Sequence, residues 1–263
     1  MSSELSYSSA NDAPVVEPKP QSFFSRWLGV YFSPGETFQE IGQAPRLLAP
    51  MLVLMLIGSL GGYLMIERIG VRQFFSTGFE QAVANNQMTQ EDADKQLDAM
   101  TNGVVGTITK YSFPLVGLLQ PLVMGLVLAG LGKLITTLMG GENKFKPLYS
   151  VTLFALLAIS VIQTALLLIV IYLKPVSELD INNLVGSNLA ALLSMIVGKD
   201  GLPKFIMTLG RWLDVFLIWL IALLAIGYGA VSKRIKTGTF ATGLGLVFGI
   251  FALLAAGWAA LRG

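Results

Sequence analysis

The polar side chains best placed to do chemistry in this chain are Gln120, Gln163 and Asp214, because each stands inside or beside a long apolar run. Gln120 precedes Pro121 in LLQPLVMG, Gln163 precedes Thr164 in VIQTALL, and Asp214 opens DVFLIW. Carboxamides donate and accept hydrogen bonds without titrating. Gln120 and Gln163 could therefore line a polar path or join helices, at roughly 1 kcal/mol per bond. A transport path would normally carry an ionisable residue at that depth, and the apolar runs hold none. Asp214 could be a first-turn acid, stabilised by the helix dipole and by Arg211 at about 0.3–1 kcal/mol, or a polar contact fixing its helix against a neighbour or a partner. Phe216 and Trp219 share a helical face beside it, and Trp212 reads as an interfacial anchor.

The missing residue types narrow the chemistry further. The chain contains no histidine and no cysteine, which removes Ser-His-Asp and Cys-His nucleophile systems, thiolate redox chemistry and the ordinary zinc, haem and iron–sulfur ligand sets. GLGKLITT and GYGAVSK lack the spacing of a phosphate loop and follow no strand. EDADKQLD lacks the glycine and ligand spacing of a calcium loop. The expectation is a non-enzymatic protein with no catalytic, cofactor-binding or metal-ligating residue. An intramembrane enzyme acting on lipids would need a convergent polar cluster that the sequence does not offer.

The elements that must position these residues are helices in lipid. Five uncharged runs recur in a chain that is 54% hydrophobic and 13% charged, and a helix needs about 20 residues to cross a hydrocarbon core. They predict an all-α, polytopic membrane helix bundle with spans at about 47–66, 111–139, 147–173, 213–232 and 237–261. Pro121 should kink the second span, since it removes the donor to the Gly117 carbonyl. Small residues recur every four positions at Gly58 and Gly62, and again at Ala241, Gly245 and Gly249, with Ala252, Ala256 and Ala260 on a nearby face. That spacing lets helix backbones approach closely, within the chain or in a homo-oligomer.

Two short segments between apolar runs, 133–146 and 233–236, hold the basic residues Lys133, Lys144 and Lys146, and Lys233, Arg234 and Lys236. They are expected in the cytoplasm. The long connections, 67–110 and 174–214, then lie outside, the amino terminus inside and Gly263 outside. The first connection should form a helical hairpin whose second helix starts at Thr89 with Asp92, and NLAALLSMIV in the second is too short to span. A net charge of +2 without a long basic block gives nucleic acid nothing to bind.

Residues 1–20 read as a disordered, Ser-rich tail with no secretory signal; residues 21–263 form the membrane domain. Between tail and first span, Phe23, Phe24, Trp27, Leu28, Tyr31 and Phe32 fall at four-residue spacings on a broad face suited to the headgroup boundary, so an interfacial helix is expected. Ser33, Pro34 and Glu36 mark a second helix start, and Phe38 shares a face with Ile41.

These landmarks resemble the Yip-type (Ypt/Rab-interacting protein) membrane proteins, specifically their compact bacterial branch, from about Trp27 to the carboxyl terminus. SPGETFQEIGQAPRLLAP is similar to the family's entry segment through Pro34, Glu36, Phe38 and Pro45; GGENKFKPLYSV resembles its turn between the second and third spans. DVFLIWLIALLAIGYGAVSK resembles its fourth span through Asp214, Phe216, Trp219 and Gly227. The resemblance implies a cytoplasmic amino terminus and an outward carboxyl terminus. Eukaryotic relatives are associated with Rab-type GTPases, vesicle formation and membrane shaping, but bacteria lack that machinery, so no Rab partner is implied. It implies a role in membrane organisation or partner recruitment in a bacterial inner membrane, with membrane lipids and unidentified membrane or cytoplasmic proteins as partners. The alternative is a small-solute or ion transporter or channel using Gln120 and Gln163. Candidate interaction or packing residues are Pro34, Glu36, Phe38, Asp214, Phe216, Trp219, Gly245 and Gly249.

Overall fold

A computed structural model describes residues 21–198 and 201–261, so the expected tail at 1–20 lies outside the described residues. The described chain is helical: α1 Phe23–Phe32, α2 Pro34–Gln43, α3 Leu48–Ile69, α4 Val71–Ala84, α5 Gln90–Thr101, α6 Gly103–Leu138, α7 Phe145–Leu173, α8 Leu189–Val197, α9 Lys204–Trp212, α10 Val215–Val231 and α11 Thr237–Leu261. Four of these, α3, α6, α7 and α11, are long and apolar enough to cross a membrane. The fourth expected span, α10, is apolar but has 17 residues, about 25 Å at 1.5 Å per residue, which is short of a core of roughly 30 Å.

The bundle is organised around α7. Its residues Leu148, Val151, Phe154, Ala155 and Ala158 are fully enclosed, and α1, α2, α3, α6 and α10 all pack against it. The two basic loops meet at one end, where a Cβ on Gly141 would lie 2.7 Å from the Ile235 side chain and the Lys133 ammonium donates to the Asn143 carbonyl at 2.7 Å. The long connections occupy the other end, where Arg68 donates to the Ile171 carbonyl at 3.1 Å.

The closest helix crossing joins α3 and α6. A Cβ on Gly58 would stand 2.2 Å from the Gly117 carbonyl oxygen, and one on Gly117 would stand 2.1 Å from the Gly58 oxygen. Gly62 meets the Phe113 carbonyl in the same way. Backbone-to-backbone contact of this kind is what glycine spacing makes available in lipid. Despite Pro114 and Pro121, α6 continues as one helix. The Gly117 carbonyl that Pro121 leaves without its helical donor faces Gly58, where a Cα–H can serve it instead.

At the other contact surface of α7, the Tyr228 hydroxyl of α10 donates to the Leu128 carbonyl of α6 at 2.9 Å and meets the Thr152 hydroxyl of α7 at 2.7 Å. Gly132 makes room for the ring, since a Cβ there would lie 2.5 Å from it. Three helices are thus tied at one buried point. Tyr228→Phe keeps the packing but removes the hydroxyl that links the Leu128 carbonyl to Thr152, and because Thr152 still donates to the Leu148 carbonyl at 2.8 Å the variant should lower stability by about 1 kcal/mol in a chemical unfolding titration.

The first long connection forms the hairpin α4–α5. Thr89 caps α5 by accepting from the Asp92 N–H at 3.1 Å, Glu91 pairs with Lys95 at 2.6 Å, and Arg72 pairs with Asp98 across the hairpin. In the second, Asn188 caps α8 by accepting from the Ala191 N–H at 3.0 Å. Helix α8 packs through Ala190 on Gly210 of α9 and leaves Leu192, Met195 and Ile196 exposed.

Candidate functional site

The entry segment folds as a helical hairpin docked on the bundle. The aromatic face anticipated for α1 divides in two. Phe23 packs on Phe154, with ring centroids 5.9 Å apart, and the Tyr31 hydroxyl donates to the Ala158 carbonyl at 2.6 Å. Burial pushes the Tyr31 hydroxyl above the usual tyrosine value, so it remains a donor. Phe24, Leu28 and Phe32, each four residues from the next, form an exposed row on the other side.

Arg26 closes the hairpin. It is fully buried; its Nη2 pairs with Glu40 Oε1 at 3.1 Å and its Nη1 donates to the Ala44 carbonyl at 2.8 Å. The Gln21 N–H donates to the same Glu40 oxygen at 2.9 Å. Sequence reading misses this pair because nothing local links residues so far apart. The available signal was a lone arginine in an otherwise aromatic helix.

Ser33 stands at the start of α2, but its side chain makes no capping hydrogen bond, and Pro34 in the first turn begins the helix. Glu36 is exposed, whereas Phe38 is enclosed. The Phe38 ring lies against Gly227 of α10, where an added Cβ would come within 3.1 Å of it and within 2.3 Å of Val151. Trp219 stacks at a tilt on Tyr31, with centroids 5.9 Å apart, and Phe216 is buried in the same core. The entry segment and the α10 motif therefore form one packing unit.

Asp214 is the N-cap of α10. Its Oδ1 accepts from the Phe216 and Leu217 N–H groups at 2.8 and 3.1 Å, while Oδ2 accepts from the Ser187 hydroxyl. The backbone pairs beside it, with Leu189 N–H donating to the Leu213 carbonyl at 3.1 Å. The carboxylate thus ties α10 to the segment before α8 rather than to Arg211. Asp214→Ala removes the cap and leaves three donors unserved, and should cost about 1–2 kcal/mol in the same titration, with Asp214→Asn milder.

The small-residue faces have different fates. Gly58 and Gly62 sit in the α3–α6 crossing, but Gly245 and Gly249 have nothing within 4 Å of an added Cβ. Helix α11 turns Phe240, Leu244, Ala252 and Ala256 inward instead.

Gln120 and Gln163, far apart in sequence, come together. With Ser160 and Thr164 they line a cavity of about 180 Å³ between α3, α6 and α7, walled also by Leu54, Gly58, Pro121 and Leu156. Both glutamines are exposed at its mouth, near the middles of α6 and α7. None of the four polar side chains has a hydrogen-bond partner among the described residues. In hydrocarbon an unpaired carboxamide costs several kcal/mol. The arrangement can bind through neutral hydrogen bonds, and its lining holds no ionisable acid or base to activate the two hydroxyls.

A family model, that of the Yip1 domain, matches residues 28–260. The chain belongs to the Yip1 domain family. The match runs from Leu28, inside α1, to Ala260 of α11, so it takes in the second half of α1, all of α2 and the bundle. No curated protein and no solved structure matches the chain. Family and apolar helices together make it a multi-pass membrane protein of Yip type.

Proposed function

We propose that this protein is a non-enzymatic scaffold of a bacterial cytoplasmic membrane, which organises membrane or recruits partners through residues 21–46. The observation that carries this reading is the Arg26–Glu40 pair, which closes α1 on α2 in a hairpin that Tyr31 and Phe38 dock on the bundle. A surface ordered in advance binds without the entropy cost of ordering it on contact. The exposed features are the Phe24, Leu28 and Phe32 row and Glu36. The basic loops support a cytoplasmic setting for this surface, because Gly42 of α2 lies on Val231 beside Lys233 and such loops resist translocation.

In this reading α10 is the fifth span, a short one whose apolar stretch begins directly after the Asp214 cap. The amino terminus is cytoplasmic and the carboxyl terminus outside, with α1 contacting the headgroup boundary. The chain has no cysteine, so single cysteines report sidedness without background. One at Gln90 should label only from outside and one at Lys236, which is exposed in the second basic loop, only from within; the reverse pattern sinks the orientation. Recruitment is tested by crosslinking in native membranes followed by identification of captured proteins and lipids. Glu36→Lys with Phe24→Ser should abolish capture by residues 21–46 while the bundle stays folded, and an unchanged set of partners would overturn the recruitment reading.

A further inference from the structure

We infer that the cavity bounded by Gln120, Ser160, Gln163 and Thr164 is a lateral binding site for a neutral lipid whose small carbonyl-bearing head reaches the bilayer midplane, a quinone being the model. Depth comes first: Gln120 stands near the middle of α6, Ser160 and Gln163 near the middle of α7, and Gly58 near the middle of α3. A phospholipid phosphate does not reach that level, whereas a ring with uncharged carbonyls on a long apolar tail does.

The chemistry of the lining selects the same class. Two carboxamides and two hydroxyls donate and accept without charge, and no ionisable side chain lines the cavity. Ions and charged headgroups therefore find no counter-charge, while a carbonyl finds donors. Leu54, Ile57, Pro121, Met124 and Leu156 surround these groups with apolar contacts suited to a ring and the start of its tail. Binding pockets of this make-up hold a ligand by apolar area and orient it by a few polar groups. The volume, about 180 Å³, suits one ring. Exposure of both glutamines places the opening on the side of the bundle, so entry is from lipid.

The test uses the full chain in nanodiscs and decyl-benzoquinone as probe. Saturable binding is expected. Gln120→Leu and Gln163→Leu should each weaken it about tenfold, the consequence of one lost hydrogen bond. Gln81→Leu, on α4, should leave it unchanged. Circular dichroism and elution volume verify that the variants fold, and Ser160→Ala provides a smaller change should either leucine variant aggregate. Absence of saturable binding by the parent chain, or equal binding by all variants, overturns the inference. So does loss of a crosslinked dimer in Gln120→Leu without loss of probe, which would make the occupant a second copy. Solute leakage from liposomes that ceases in Gln163→Leu would make the cavity part of a water path, and would also overturn it.

Discussion

Gly117→Val is expected to destabilise the bundle by about 3 kcal/mol, and Gly58→Val by a similar amount, because every atom in the way belongs to the opposing backbone. Overpacking costs typically about 1–3 kcal/mol when side chains can shift. Here a Cβ at Gly117 would lie 2.1 Å from the Gly58 carbonyl oxygen, and a helix backbone can yield only by moving the helix. Separation of α3 from α6 would also strip the Gly117 carbonyl of the contact that offsets its missing donor at Pro121. The comparison that isolates the cause is Gly249→Val, whose Cβ meets nothing within 4 Å and which should shift stability by less than about 0.5 kcal/mol. Unfolding in mixed micelles, followed by loss of tertiary fluorescence, measures all three. Equal effects at Gly117 and Gly249 would show that the α3–α6 crossing is not the tight contact described.

Arg26→Ala should release the amino-terminal hairpin at a cost of about 3 kcal/mol, the low end of the range for breaking a buried ion pair by removing one partner. The low end applies because Glu40 keeps 23% of its side-chain surface exposed and can recover some hydration. The loss is local, since the pair joins α1 to α2 while the Tyr31–Ala158 and Phe38–Gly227 contacts remain. Limited proteolysis of residues 21–46 therefore reads it better than global unfolding. Glu40→Gln keeps an acceptor for the guanidinium and should increase cleavage less. The double variant Arg26→Met, Glu40→Leu replaces the pair by apolar groups of similar reach and should be protected nearly as well as the parent. If Arg26→Ala is cleaved no faster than the parent chain, the pair does not hold the hairpin.

The two predictions differ in how much of their basis could be read from residues alone. Gly58 and Gly62 announced a close crossing by their spacing, but Gly245 and Gly249 carry the same spacing and meet nothing. Periodicity places small residues on a face; only the packing of neighbours decides whether that face is covered. Thr89 shows the opposite case, because a cap and its helix are a few residues apart and the local chain suffices to predict the bond. Arg26 and Glu40 were invisible as a pair, since each is legible locally only as a charge.

Composition and hydropathy by themselves determined that this chain is helical, apolar enough for lipid, and without histidine or cysteine chemistry, because backbone satisfaction in hydrocarbon leaves few alternatives to a long helix. Tertiary structure alone decided that Gln120 and Gln163 face one cavity, that Phe38 lies on Gly227, and that Asp214 serves Ser187 rather than Arg211. The reason is range: hydrophobic runs and caps are properties of consecutive residues, whereas the rotation of each helix about its axis is set by the helices it meets.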